Sequence, residues 1–66
     1  MNVMLNGESR ELPDPYTLQT LIDELGLTGK RLAVEVNEDI VPRSQHNEFR
    51  LHEGDRVEIV HAIGGG

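Results

Sequence analysis

Apolar and polar residues alternate from the start of the chain. Met1, Val3 and Leu5 fall on one face of a strand and Asn2 and Met4 on the other. Asn6-Gly7 follows, a pair in which both residues tolerate positive φ, and predicts a tight hairpin. Glu8 to Leu12 reads as a polar returning strand. Pro13-Asp14-Pro15 stops it, because proline has no N–H to give to a ladder. The period then changes. Leu18, Leu21, Ile22 and Leu25 recur at i, i+3, i+4 and i+7, the apolar stripe of a helix. Thr17 stands where an N-cap is needed, and Tyr16 and Leu21 occupy the two positions of a hydrophobic staple. Asp23 and Glu24 fall on the solvent side, and Gly26 is placed to close the helix.

After a loop at Thr28-Gly29-Lys30, alternation returns, with Leu32, Val34 and Val36 inward. Gly29-Lys30 lacks the glycine spacing of a phosphate loop and follows a helix rather than a strand, so it is not read as one. Asn37-Glu38-Asp39 is a turn, Ile40-Val41 a short strand ended by Pro42, and Ser44 a cap for a single helical turn through Asn47. Phe49 and Leu51 point back to the core. Glu53-Gly54-Asp55 turns the chain into a last strand over residues 56–63, with Val57, Ile59, His61 and Ile63 on one face and Glu58, Val60 and Ala62 on the other. Its β-branched run suits a central strand paired on both sides. One helix across one sheet makes an α+β domain.

Composition narrows the function. A chain of 66 residues is one domain with a small core. It has no cysteine, hence no disulfide and no thiolate. Its net charge is −6, from 12 acidic against 6 basic residues, which argues against nucleic acid and suits a partner with a basic docking surface. Tyr16 and Phe49 are the two aromatic residues, too few for a base-stacking platform. No apolar run approaches a membrane span, and the expectation is a soluble, cytoplasmic protein. His46, His52 and His61 lack paired ligand spacing, so no metal site is expected, and His61 is placed at the end of the inward row with its ring reaching solvent. The acidic residues are scattered, and no catalytic carboxylate pair stands out.

The candidate chemistry sits at Gly64-Gly65-Gly66. Glycines have no side chain to pack, so they predict a mobile tail, residues 64–66, on a folded body, residues 1–63. Such a tail is either a plain terminus or a thin thread that enters a channel closed to any side chain, with the Gly66 carboxylate at its tip. Residues 63–66 extended reach at most about 3.3–3.6 Å each. Val60, Ala62 and Ile63 lie beside the tail root. They are either ordinary exposed residues or a docking patch. Arg43 is either a partner contact or the local ion-pair partner of Asp39.

Together these features resemble the β-grasp (ubiquitin-like) fold, and more narrowly the ThiS-type sulfur carriers of bacterial thiamine biosynthesis. The resemblance rests on Val36-Asn37, Ile40-Val41-Pro42-Arg43, Glu53-Gly54-Asp55 and Ile63-Gly64-Gly65-Gly66, in that order and spacing, and covers the whole chain. One departure is a third terminal glycine where the family needs two. The resemblance implies a mixed sheet of four to five strands with one main helix, no bound cofactor and no catalysis by the chain itself. It implies that a ubiquitin-activator-like adenylyltransferase (ThiF type) uses ATP to adenylate Gly66. A persulfide donor then leaves a thiocarboxylate there, with Gly64 and Gly65 entering the partner sites, and a thiazole synthase (ThiG type) takes the sulfur. Two rival readings are the small subunit of molybdopterin synthase and a β-grasp binding or modifier domain whose tail is inert or conjugated.

Overall fold

The computed structural model describes residues 1–61. Five strands and one helix follow in the order β1 (Asn2–Leu5), β2 (Glu8–Glu11), α1 (Leu18–Glu24), β3 (Leu32–Val36), β4 (Asp39–Ile40) and β5 (Arg56–His61), with a 3₁₀ turn at Arg43–Gln45 before β5. The strands lie in the order β2-β1-β5-β3-β4. β5 is thus central. It runs parallel to β1 and antiparallel to β3, while the outer pairs β1–β2 and β3–β4 are antiparallel hairpins.

The hairpin pair Asn6-Gly7 has φ of 49° and 84°, both positive as a type I′ turn requires. At the other hairpin, Asn37 and Glu38 do the same with φ of 52° and 73° and no glycine. β4 occupies Asp39–Ile40, one residue earlier than Ile40-Val41, because the turn needs only those two residues. Val41 still donates its N–H to the Val34 carbonyl at 2.9 Å, and its side chain is buried.

Thr17 caps α1: its hydroxyl accepts a hydrogen bond from the Thr20 N–H at 3.2 Å. Tyr16 and Leu21 are both buried across that end, as a staple requires. Gly26, at φ 74°, ends the helix. Its N–H donates to the Asp23 carbonyl at 3.1 Å and the Leu27 N–H to the Ile22 carbonyl at 3.0 Å, the two bonds of a Schellman motif. Hydrogen bonds from Thr28 and Gln19 hold the Asp23 carboxyl below its ordinary pKa. Ser44 lies inside the 3₁₀ turn and does not cap it. Pro42 takes the cap position, with no side-chain cap bond. Proline's fixed φ starts the turn without one.

The core lies between the helix and one face of the sheet. Leu18, Leu21 and Ile22 of α1 meet Val3, Val34, Val36, Val57 and Ile59, with Leu12, Val41 and Leu51 closing the sides and Phe49 packed against it. Burying each such side chain contributes about 1.5–3 kcal/mol. Tyr16 sits in this layer and its hydroxyl donates to a Glu24 carboxylate oxygen. Burial, with that hydrogen bond, pushes the Tyr16 phenol up to about 12. His46 is also buried, its ring Nε2 3.1 Å from the Val41 carbonyl oxygen. Among the described residues no helix is long and apolar enough to cross a membrane.

Candidate functional site

β5 carries the candidate site, since the chain passes from its last residue, His61, into residues 62–66. Three of the predicted site residues, Gly64, Gly65 and Gly66, lie outside the described residues, as do Ala62 and Ile63 of the docking patch. The structure therefore bears on the root from which they continue.

That root is held on both sides. On one side β3 pairs with β5 along its length, from Val36 opposite Val57 to Leu32 opposite His61. On the other side β1 covers only Arg56 and Val57. Asn6 then takes over. Its N–H donates to the Val57 carbonyl at 2.9 Å. Its side-chain oxygen accepts from the Ile59 N–H at 2.9 Å, and its amide nitrogen donates to the Ile59 carbonyl at 3.3 Å. One carboxamide thus stands in for the next residue of a strand. The sequence marks Asn6 as a turn residue only. Its second role escapes a sequence reading because Ile59 is 53 positions away.

The outward face of β5 presents Arg56, Glu58 and Val60, all exposed. Val60 is 67% exposed and stands opposite Ala33 of β3. Glu58 stands opposite Glu35, two carboxylates on facing positions of one sheet face. Arg56 pairs with Glu38 at 3.8 Å. Both ion-pair partners are solvated, so the pair contributes little. Ile40 and Met4 add exposed apolar area to the same face. Val60 therefore sits where a docking residue would have to sit, beside the tail root and open to solvent.

Arg43 does not pair with Asp39. Its guanidinium donates to the Lys30 carbonyl at 3.0 Å, across to the loop that follows α1. A rigid carbonyl held by a turn is a better-fixed partner than a carboxylate on an edge strand. His61 ends the inward row as expected, only part of it reaching solvent. Its ring is half-buried and Nδ1 is shielded from solvent with no hydrogen-bond partner among the described residues. Leu32 stands opposite it in the ladder. Among the described residues no group of histidine, aspartate and glutamate could hold a metal.

The residues that carry the family resemblance meet one another. The Asn37 amide donates to the Asp55 carboxylate at 3.0 Å, and its side-chain oxygen accepts from the Arg56 N–H at 2.9 Å. The other Asp55 oxygen accepts from the His52 N–H at 2.7 Å. Asn37 and Asp55 thus tie the β3–β4 turn to the turn that launches β5. Their work is structural: they set where β5 starts and so where it ends.

Comparison with known proteins agrees with this architecture. The ThiS family model matches residues 3–66. The chain is 41% identical over 66 residues to a thiazole synthase of Paramagnetospirillum magneticum, covering all of this chain but only 20% of that protein. It spans the same one-fifth share of a second thiazole synthase, from Magnetococcus marinus, at 39% identity. It is 35% identical over 65 residues to the sulfur carrier protein ThiS of Bacillus subtilis, covering 97% of this chain and 98% of that one. The crystal structure of the thiamine biosynthesis protein ThiS from Geobacter metallireducens superposes with a TM-score of 0.82 at 25% identity, each chain covered in full.

Proposed function

The chain belongs to the ThiS family, and from that membership we propose that it is a sulfur carrier for the thiazole ring of thiamine, a protein co-substrate rather than a catalyst. The observation that carries the reading is the end-to-end match to a protein named sulfur carrier protein ThiS. The sulfur is held as a thiocarboxylate on Gly66. A free carboxylate is a poor electrophile, so an adenylyltransferase first activates it with ATP. A persulfide sulfur then attacks the acyl carbon and AMP leaves. A thiol supplied by the donor enzyme or a reductant breaks the S–S bond of the resulting acyl disulfide, forming a new disulfide and freeing the thiocarboxylate. The adenylate hydrolyses in water, so the step needs a closed site on the enzyme. Gly64 and Gly65 give the slim backbone that such a site admits. A thiazole synthase takes the sulfur. The relatives of that name support this partner, because a matching stretch forms part of their own chains.

The test is the intact mass of the chain after incubation with the adenylyltransferase, ATP, a persulfide source and a thiol reductant. A gain equal to one oxygen exchanged for sulfur, lost on deletion of Gly66, is expected. No gain while the adenylyltransferase turns over ATP would refute the carrier reading.

A further inference from the structure

The six cations of this acidic chain are not evenly spread. Arg31 immediately precedes Leu32, the residue paired with His61, so Lys30 and Arg31 stand at the end of the sheet where the chain leaves β5. Arg43, thirteen residues after Lys30, is brought to the same corner by its 3.0 Å hydrogen bond to the Lys30 carbonyl. All three residues are exposed, and among the described residues none forms an ion pair, although the chain carries 12 acidic residues. Three like charges gathered without an ion pair repel one another, and apart from the Arg43 bond to the Lys30 carbonyl none of their side chains makes a hydrogen bond within the described residues. We propose that the Lys30–Arg31–Arg43 corner docks an acidic protein surface around the entrance that receives residues 62–66.

Other occupants fit less well. A net charge of −6 opposes both nucleic acid and an anionic membrane, whose whole surface would face the protein. The three side chains are solvated, and among the described residues they line none of the main pockets, so a small anion would be bound weakly. The net acidity suits a basic surface for the rest of the chain, while a protein with a local acidic rim can meet this corner alone. On the sulfur-carrier reading, on which this rests, that rim belongs to the thiazole synthase that takes up the tail. Rim charges of this kind act on encounter: they speed association and fix orientation, and salt weakens them.

The experiment measures association of the full chain with the thiazole synthase of the same organism, at low and at high salt. Two double variants each remove two positive charges: Lys30→Gln with Arg31→Gln in the corner, and Arg10→Gln with Arg50→Gln elsewhere on the surface. The corner variant should associate about tenfold more slowly at low salt, with the gap closing at high salt, while the control stays within about twofold of wild type. Adding Arg43→Gln to the corner variant should slow it further. Equal thermal unfolding midpoints verify that each variant is folded. Wild-type association rates in the corner variant, or equal slowing in the control, would overturn the corner. Failure of the wild-type chain itself to bind would overturn the thiazole-synthase reading and the corner with it.

Discussion

Asn6 should matter more to stability than a turn residue ordinarily does, and Asn6→Gly isolates why. Glycine keeps the positive φ of 49° at no steric cost, so the hairpin turn survives. What disappears is the carboxamide that bridges the N–H and C=O of Ile59. Each such bond contributes about 0.5–1.5 kcal/mol, and the two half-buried groups left behind must find water at the end of the sheet. The loss is therefore about 1–3 kcal/mol. For a domain of this size each kcal/mol moves Tm by about 4–8 °C, so the midpoint should fall by roughly 5–20 °C. Thermal unfolding followed by circular dichroism reads it. Asn6→Asp supplies the control on mechanism. Its carboxylate still accepts from the Ile59 N–H but faces the Ile59 carbonyl without a proton to donate. That variant should regain stability on acidification, when the protonated acid can donate. An Asn6→Gly protein as stable as wild type would show that water replaces the clamp at no cost.

Two other changes follow from the helix and its ends. Gly26→Ala meets no atom within 4 Å, so its cost is the φ of 74° alone, about 1–2 kcal/mol; Gly26→Asn should lose less than half of that. Chemical denaturation of both variants is the measure, and equal losses would refute the backbone explanation. Tyr16 gives a pH dependence. Its folded pKa, about 12, lies above the unfolded value near 10, so it stabilises fully below pH 10 and loses that contribution as pH rises through 12. Tyr16→Phe should be somewhat less stable at neutral pH yet lack this alkaline component, and superimposable curves of stability against pH would refute it.

Where a segment's fate is decided by its own residues, it was legible. The alternation of Met1, Val3 and Leu5, the stripe of α1, its Thr17 cap and Gly26 stop, and the central place of β5 all follow from local pattern, and all are found. The errors arise where distant segments meet. Ser44 has the right chemistry for a cap, but Pro42 sits two residues earlier and starts the turn first. Arg43 is close enough in sequence to Asp39 to suggest an ion pair, yet the Lys30 carbonyl is the partner the fold brings to it. The same holds for the site. Period alone puts Val60 on the outward face of β5, where it is exposed. The gathering of Lys30, Arg31 and Arg43 was not, because it depends on the β3–β5 register and on one long-range hydrogen bond. The joint between Asn37 and Asp55 was likewise invisible as a contact, although both residues belong to the pattern that carries the resemblance.

The central place of β5 bears on what happens when the chain is pulled. Any tension on the residue after His61 acts along the axis of β5. Its neighbours grip it from both flanks, β3 over five paired positions and β1 with Asn6 on the other side. Their hydrogen bonds run across that axis, so the load is shared in shear and no single bond at the end is peeled away first. An edge strand under the same tension would unzip one bond at a time. A partner can therefore tug on the end of this protein, and let go of it, while the body keeps its shape.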